Sequence, residues 1–341
     1  MANYKELEGF GVQTLATDPD SAGWVGSIFY NSTSGTFKTV KPGGIAVATW
    51  ASGANLLSPT SQNAASGAST TSGLNFGGTN TYPPGPAVQV ATTQTYNGSS
   101  WTEVNDLNTA RRYIQGSGTQ TSSLAYGGFT SPTGYLASTE SWDGTNWTTV
   151  NSLNTARGEA SGFGLSSTSA FLAQAIDNPS GIPASEQWNG SSWTTVASQN
   201  TPRIRYAASG AATDGIISFG EVYPAGSNSN AAETWNGSSW TTVASGNTAR
   251  LYVGASGGSS TSALGFGGGT PGGVGNTEYY NGSSWTEVND LSTVRVLFTG
   301  SGHSTSSGLA VGGFYPASLS ISNATEEWTV PDVVINTLTT S

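Results

Sequence analysis

The chain has no cysteine, a single histidine and few charges. Only 9% of its 341 residues are charged, with 10 lysines and arginines against 20 aspartates and glutamates. The lack of cysteine excludes disulfides, thiolate metal sites and cysteine nucleophiles, and the lone His303 makes imidazole-based chemistry nearly impossible. A net charge of -10 without any basic run lacks the electrostatic footprint of a nucleic-acid-binding protein. We therefore expect no nucleic-acid partner.

Long hydrophobic runs are also missing. No stretch approaches the roughly 20 apolar residues of a membrane-spanning helix. Residues 1–11 carry acidic side chains where a signal peptide would have a hydrophobic stretch. We expect neither membrane insertion nor a Sec-type signal.

What the chain does have is a repeat marked by tryptophan, with steps of 51, 46, 46, 47 and 45 residues. The positions are Trp50, Trp101, Trp147, Trp193, Trp240 and Trp285. A period in the forties is typical of propeller blades or helical arrays. With 47 glycines and 10% aromatic residues, the composition disfavours helices and suits short strands. The sequence predicts one continuous array of β repeats.

Each repeat reads as four short strands, A to D. Strands C and D are joined by Asn-Gly or Asp-Gly, which predicts a type I′ hairpin turn. Strand A ends in small residues such as Ala65-Ser66-Gly67, which suit the innermost strand of a propeller. The bulky tryptophan of strand D then fills the space between neighbouring blades. We interpret the recurring tryptophans as blade-packing residues.

The strand count predicts how the array closes. Six strand-C aromatics occur, and the last, Trp328, has no strand D after it. The segment at 45–50 has no strand C before it, so we expect it to complete the last blade. The predicted fold is an all-β, six-bladed propeller at 45–330, closed by an N-terminal strand at about 45–50. Residues 1–44 form an N-terminal extension with a short β-hairpin, and residues 331–341 form a C-terminal tail.

A double glycine, then Glu-x-Trp/Tyr, Trp and Arg, recurs over about 45–330, and this pattern resembles the Kelch repeat. The near-identical units and the ending "TEEWTVPD" also resemble Kelch-like sequences of bacteriophage proteins. The resemblance implies a Kelch-type β-propeller of a phage virion. Galactose oxidase-type Kelch propellers hold copper with histidine and a cysteine-linked tyrosine, which this composition excludes. We expect no cofactor and no metal.

Five of the seven arginines lie ten residues after a strand-D tryptophan, and a glutamate precedes five of the strand-C aromatics by two residues. The arginines are Arg111, Arg157, Arg203, Arg250 and Arg295, and the glutamates are Glu140, Glu186, Glu233, Glu278 and Glu326. The remaining repeat has Thr60 and Gln94 at these positions, so both charges are lost together. We predict structural Arg–Glu pairs within blades, because a half-buried charge without its partner is costly.

The B–C loops differ between repeats, and variable loops on a rigid scaffold are where binding residues concentrate. Two adjacent repeats also lose the double glycine. The candidate binding residues are Gln174, Asp177, Arg205, Glu221 and Tyr223, which form the best candidate pocket, together with Tyr82, Tyr135 and Tyr315. The alternative is that these are drifted loop residues of a duplicated array.

Residues 23–44 read as a hairpin that resembles short hairpins of phage tail-fibre proteins. We expect the 1–44 segment to attach to other virion proteins, or to be a lid over the propeller. The tail at 331–341 pairs with this hairpin or reaches a neighbouring subunit.

The leading prediction is a non-enzymatic phage tail or tail-fibre component, made in the host cytoplasm and carried on the extracellular virion. It would bind a host-surface glycan or protein through its B–C loops. One alternative is a purely structural module that contacts other virion subunits. The other is a carbohydrate-active enzyme, because two carboxylates suffice for a glycosidase and four lie outside the repeated glutamate position: Glu159, Asp177, Asp214 and Glu221.

Overall fold

The chain forms two compact units built almost entirely of β-strands. The computed structural model describes residues 12–81, 87–173, 176, 184–270 and 272–338. One unit comprises residues 1–48 and 330–341, and the other comprises residues 49–329. Strands account for 48% of the structure and helices for 2%. No helix in the described ranges is long and apolar enough to cross a membrane.

The smaller unit is a four-stranded sheet in the order β1-β2-β3-β35. Its strands are β1 (Gln13–Leu15), β2 (Ile28–Asn31), β3 (Thr36–Pro42) and β35 (Val333–Thr337), and it also has two short 3-10 helices, Ala22–Trp24 and Ile45–Val47. Strands β2 and β3 form the expected hairpin, and β35 pairs antiparallel with β3. Of the two expectations for the tail, the structure therefore shows the pairing with the hairpin.

Within the described residues, the larger unit contains six four-stranded antiparallel sheets. Sheet I is β5 (Ala64–Ser69), β6 (Ser72–Phe76), β7 (Thr93–Tyr96) and β8 (Trp101–Val104). Sheet II is β9 (Gln115–Thr119), β10 (Ser122–Tyr126), β13 (Thr139–Trp142) and β14 (Trp147–Val150). Sheet III is β15 (Gly162–Ser166), β16 (Ser169–Leu172), β17 (Ser185–Trp188) and β18 (Trp193–Val196). Sheet IV is β20 (Ala207–Ala211), β21 (Asp214–Ser218), β24 (Ala232–Trp235) and β25 (Trp240–Val243).

Sheet V is β26 (Gly254–Ser259), β27 (Ser262–Phe266), β28 (Thr277–Tyr280) and β29 (Trp285–Val288). Sheet VI is β30 (Thr299–Ser301), β31 (Ser307–Val311), β34 (Thr325–Thr329) and β4 (Thr49–Ser52). Short loop strands complete the unit: β11 (Phe129–Thr130), β12 (Gly134–Tyr135), β19 (Arg203–Ile204), β22 (Glu221–Val222), β23 (Ser227–Asn228), β32 (Phe314–Tyr315) and β33 (Ser320–Ile321). Successive four-stranded sheets of this kind are the architecture of a β-propeller, so the expectation of an all-β propeller fold is confirmed.

Sheet VI joins strands from both ends of the unit. Strand β4 pairs antiparallel with β34, and Trp50 lies opposite Trp328. The strand begins at Thr49, later than the expected 45–50, because residues 45–47 form a 3-10 helix. Just before this helix, the backbone N–H of Gly43 donates to the Asp332 carbonyl. A Cβ on Gly43 would lie 1.8 Å from the Pro331 carbonyl oxygen, so only glycine fits at this bend.

The tryptophans that begin the strands D connect neighbouring sheets. Trp147 Nε1 of sheet II donates to Thr93 Oγ1 of sheet I at 3.0 Å, and Trp193 repeats this contact toward sheet II. The Trp147 side chain is 6% exposed and packs on Phe76 with a centroid distance of 4.9 Å. These tryptophans thus lie in the packing between sheets, as the blade-packing interpretation requires.

The C–D hairpins form, but their turns are not type I′. Tyr96 pairs directly with Trp101, which leaves a four-residue connection. Gly98 has a φ of +92°, whereas Asn97 is not among the residues with positive φ. Asn97 Oδ1 instead accepts hydrogen bonds from the backbone N–H groups of Ser99 and Ser100, at 2.9 Å each. The asparagine therefore acts through its side chain, which satisfies the turn amides without a left-handed backbone.

The five repeated arginines, which we call the framework arginines, each contact the glutamate of the same repeat. In sheet II, Arg111 Nη2 and Glu140 Oε1 lie 2.5 Å apart, with side-chain exposures of 0% and 1%. The other pairs are Arg157–Glu186, Arg203–Glu233, Arg250–Glu278 and Arg295–Glu326. Glu140 also accepts the backbone N–H of Asn108, and Arg111 donates to the Ser138 carbonyl. The pair therefore fastens the link between consecutive sheets, which precedes the arginine, to the third strand of the following sheet.

Candidate functional site

Two residues after each framework arginine, and two residues after Thr60 at the same position of the remaining repeat, the chain adopts a left-handed backbone conformation. These residues are Gln62, Tyr113, Glu159, Arg205, Tyr252 and Leu297, with φ values of 56°, 53°, 56°, 57°, 56° and 56°. We call them the mouth ring. The backbone N–H of Tyr113 donates to the Gln62 carbonyl at 2.9 Å, and that of Tyr252 donates to the Arg205 carbonyl at 2.7 Å. Neighbouring repeats thus meet at this ring, which brings six side chains together.

The mouth ring lines a cavity of about 130 Å³, which we call the axial cavity. The rest of its wall consists of inner strands, at residues 63–65, 114–116, 160–162, 206–208, 253–255 and 298–300. Small residues bring these strands close together: a Cβ on Gly116 would lie 2.7 Å from the Phe76 ring and 3.0 Å from the Ala65 carbonyl oxygen. The six ring side chains are of five types and include the charged residues Glu159 and Arg205, whereas the rest of the wall is uncharged, so the mouth is the selective part of this cavity.

A second cavity, of about 590 Å³, lies on the loop side of the mouth ring. We call it the loop cavity. It shares four ring residues with the axial cavity: Gln62, Tyr113, Tyr252 and Leu297. Loop residues such as Thr79, Thr81 and Thr270 line its sides, together with Arg112. A ligand in the loop cavity would therefore contact both the variable loops and the ring.

One side of the mouth ring holds an arginine between two carboxylates, Glu159, Arg205 and Glu221, which we call the Arg205 cluster. Arg205 Nε lies 2.5 Å from Glu159 Oε2, and Nη1 lies 2.7 Å from Glu221 Oε2. The side chains of Arg205, Glu159 and Glu221 are 25%, 9% and 15% exposed. The Arg205 guanidinium also lies 5.1 Å from the centroid of the Tyr252 ring. The cluster is partly open to solvent, unlike the buried framework pairs.

The cluster shifts the acid–base behaviour of its surroundings. Burial opposes the charged form of Arg205, but Tyr252, Glu159 and Glu221 raise its pKa above the usual value. Burial, followed by the charge of Glu159, raises the pKa of Tyr135 to about 12. Burial likewise raises the pKa of Tyr252. At neutral pH the site therefore presents a charged guanidinium and neutral phenols, which can donate hydrogen bonds to sugar hydroxyls.

The structure brings together some of the residues expected from sequence and separates others. Arg205 and Glu221 form an ion pair in the Arg205 cluster. Tyr135 packs against the backbone at Gly158, since a Cβ placed on this glycine would lie 2.8 Å from the tyrosine ring. Tyr223 lies in a turn, and it lines neither cavity. Tyr315 lines neither cavity as well, and its hydroxyl binds Ser322 Oγ at 2.7 Å. Three expected residues lie outside the described ranges: Gln174, Asp177 and Tyr82.

Sequence reasoning missed four ring residues: Gln62, Tyr113, Tyr252 and Leu297. Their signal is positional, since each stands two residues after the arginine position while its identity changes from repeat to repeat. Among the described residues, no three or more histidine, aspartate or glutamate side chains are grouped to hold a metal ion.

His303 lies in the A–B link of sheet VI, at the far end of the inner strands. Its Nε2 donates to the Gly118 carbonyl of sheet II at 3.1 Å, so the side chain reaches across the narrow end of the axis. Burial lowers the pKa of His303, although the bond to Gly118 opposes this shift. Imidazole is therefore neutral in the folded protein at neutral pH.

We expect this histidine to contribute to acid sensitivity. As the pH falls below about 6.5, the unfolded chain binds a proton at His303 before the folded protein does. Stability is therefore lost on acidification, and His303→Gln, which keeps an N–H donor, should reduce the fall in Tm between pH 7 and pH 5. Parallel curves of Tm against pH for both proteins would contradict this assignment.

No family model and no curated protein matches the sequence. Among solved structures, 269 chains match. One of them, titled "Structure of YjhT", superposes with a TM-score of 0.66 and 11% identity over 83% of this chain and 99% of that chain. At this identity the similarity shows the propeller fold alone.

The comparison overturns the leading functional prediction. The neighbour named above is YjhT, and no comparison shows an association with a phage or a virion. The prediction of a non-enzymatic virion component is therefore wrong, and the findings favour its carbohydrate-active alternative. Neither Kelch repeats nor similarity to phage proteins is shown by the comparisons.

Proposed function

We propose that the protein is a carbohydrate-active β-propeller that hydrolyses a glycosidic bond at the Arg205 cluster. The observation that carries this proposal is the pairing of Glu159 and Glu221 on one arginine beside an open cavity. The propeller similarity agrees with it.

Most glycosidases use two carboxyl groups on either side of the scissile bond, and these lie about 5–5.5 Å apart in retaining enzymes. Glu159 and Glu221 each bind a nitrogen of the same guanidinium, so one side chain positions both carboxylates. In the proposed reaction, one carboxyl protonates the leaving oxygen while the other carboxylate attacks the anomeric carbon. Water, deprotonated by the first carboxylate, then displaces the second and restores both groups. Arg205 holds both groups in place. Tyr113 and Tyr252 offer aromatic surface against which a sugar ring can pack.

The test is hydrolysis of a panel of polysaccharides and aryl glycosides, measured as released reducing ends or chromophore. We expect Glu159→Gln and Glu221→Gln each to lower kcat by about 100-fold or more, since loss of general acid–base catalysis typically costs about 10²–10⁴-fold. Glu103→Gln is the matched control, because Glu103 is an exposed carboxylate on β8. Equal activity of all three variants, or no turnover of any glycan by the unmodified protein, would refute the proposal.

We infer further that sheets I to VI are the six blades of one ring built from Kelch-type repeats. Two contacts support closure of the ring: Trp50 Nε1 of sheet VI donates to Thr277 of sheet V, and Trp101 Nε1 of sheet I donates to Thr325 of sheet VI. The repeated glycine pair, glutamate and arginine support the Kelch type. An experimental density map viewed along the axis would contradict this count if it showed any other number of blades.

A further inference from the structure

Arg112 differs from every other arginine of the chain. Six of the seven arginines make ion pairs with glutamate side chains: Arg111, Arg157, Arg203, Arg205, Arg250 and Arg295. Within the described part of the chain, Arg112 makes no ion pair. Its Nη1 donates to Gln62 Oε1 at a long 3.3 Å. Its Nε is buried without a hydrogen-bond partner, a feature that it shares with Arg111, Arg250 and Arg295. The guanidinium is thus charged but poorly satisfied by its own protein.

The position of Arg112 is also exceptional within the repeat. It directly follows the framework Arg111, and its backbone pairs with the first loop residue, Phe129. The equivalent residues of the other repeats are all uncharged: Ser61, Gly158, Ile204, Leu251 and Val296. A cation at this position is therefore not required by the propeller framework.

Arg112 is held rigidly at the wall of the loop cavity. Its guanidinium carbon lies 4.9 Å from the centroid of Tyr113 and 5.1 Å from that of Phe129. Such stacking on aromatic rings stabilises a cation. It also restricts the side-chain rotamers, so Arg112 loses less conformational entropy when it binds a ligand.

We propose that Arg112 binds the carboxylate of an acidic sugar, such as a hexuronic acid unit, in the loop cavity. This inference rests on the proposed glycan function, and it names the class of substrate. The planar fork of guanidinium matches the geometry of a carboxylate. At the Arg205 cluster the two glutamates repel a ligand carboxylate, whereas Arg112 is free of them. The loop cavity and the axial cavity share ring residues, so one oligosaccharide can contact both.

The test compares the binding of oligogalacturonate with that of neutral galacto-oligosaccharide of equal length, by calorimetry at low and high salt. We expect the unmodified protein to prefer the acidic ligand by about tenfold or more, the size expected for one hydrogen-bonded charge pair. Arg112→Gln should remove this preference, because it should lower the affinity for the acidic ligand much more than that for the neutral ligand, while Arg112→Lys should keep part of it. Lys41→Gln removes a positive charge from the exposed side of β3 and is the control.

The outcomes separate the two proposals. Equal affinity for acidic and neutral ligands, or a preference that survives in Arg112→Gln, overturns the Arg112 subsite and leaves the glycan function standing. Absence of binding to every saccharide overturns both. A Tm of Arg112→Gln close to that of the unmodified protein shows that a lost preference does not come from unfolding, and Arg112→Lys provides the same comparison if the glutamine variant unfolds.

Discussion

Replacing Glu186 with glutamine is expected to lower the free energy of unfolding by about 3–5 kcal/mol, the cost of breaking a buried ion pair by removing one partner. The substitution leaves the Arg157 guanidinium, which is 1% exposed, without a counter-charge. Arg157→Thr should cost a similar amount because it strands Glu186, which is also buried. Urea denaturation followed by tryptophan fluorescence measures both losses.

The protein contains a control for this experiment. In sheet I the same positions are Thr60 and Gln94, and Gln94 Oε1 accepts the backbone N–H of Leu57 at 3.0 Å. Glu186 Oε2 accepts the equivalent N–H of Asn154 at 2.8 Å. The double variant Arg157→Thr/Glu186→Gln copies the neutral pair, so its loss should be clearly smaller than the sum of the single losses. Additive losses would show that the two charges do not stabilise each other.

Removal of strand β4 is expected to have the second large effect. Deleting residues 1–52 removes the partner of β34 and the buried Trp50, which is 7% exposed. Loss of a buried tryptophan side chain alone costs about 3–5 kcal/mol, and the exposed edge of β34 becomes a site for aggregation. We expect a much lower Tm and association into larger particles, measured by calorimetry and light scattering.

Deletion of residues 1–48 is the matched control, because it removes the N-terminal part of the smaller unit and keeps β4. The two deletions differ only by the four residues 49–52. Four residues of an exposed segment would hardly change Tm, but these four form β4, so the 1–48 deletion should have a much higher Tm than the 1–52 deletion. Equal melting of the two truncated proteins would mean that β4 does not hold sheet VI together.

The propeller architecture could be predicted because its causes are local and repeated. The tryptophan period, the hairpin signal and the small residues of strand A each depend on residues within one repeat. The turn type was missed because the pair Asn97-Gly98 is read as a backbone signal, whereas the asparagine acts through its side-chain oxygen. The start of β4 was missed because the bend at Gly43 depends on residues near 331, almost 300 positions away.

The site could be predicted only in part, because its contacts cross between repeats. Arg205 and Glu221 belong to one repeat, and they stood out as departures from it. Their third partner, Glu159, comes from the previous repeat, and no spacing within a single repeat places it beside Arg205. The pairing follows from the left-handed backbone of the mouth ring, which a period of tryptophans does not reveal.

The mouth ring has a consequence for how this protein can diversify. Six residues share nearly the same φ, from 53° to 57°, although one is acidic, one is basic, two are aromatic, one is an amide and one is aliphatic. A non-glycine residue in this conformation costs about 1–2 kcal/mol, and that cost is already present whatever the side chain is. The backbone therefore provides six positions of the same conformation. A single-codon change can replace the side chain at one of them without a change in the backbone of the ring. Ligand preference can therefore evolve one repeat at a time, while the neighbouring repeats keep the framework in place.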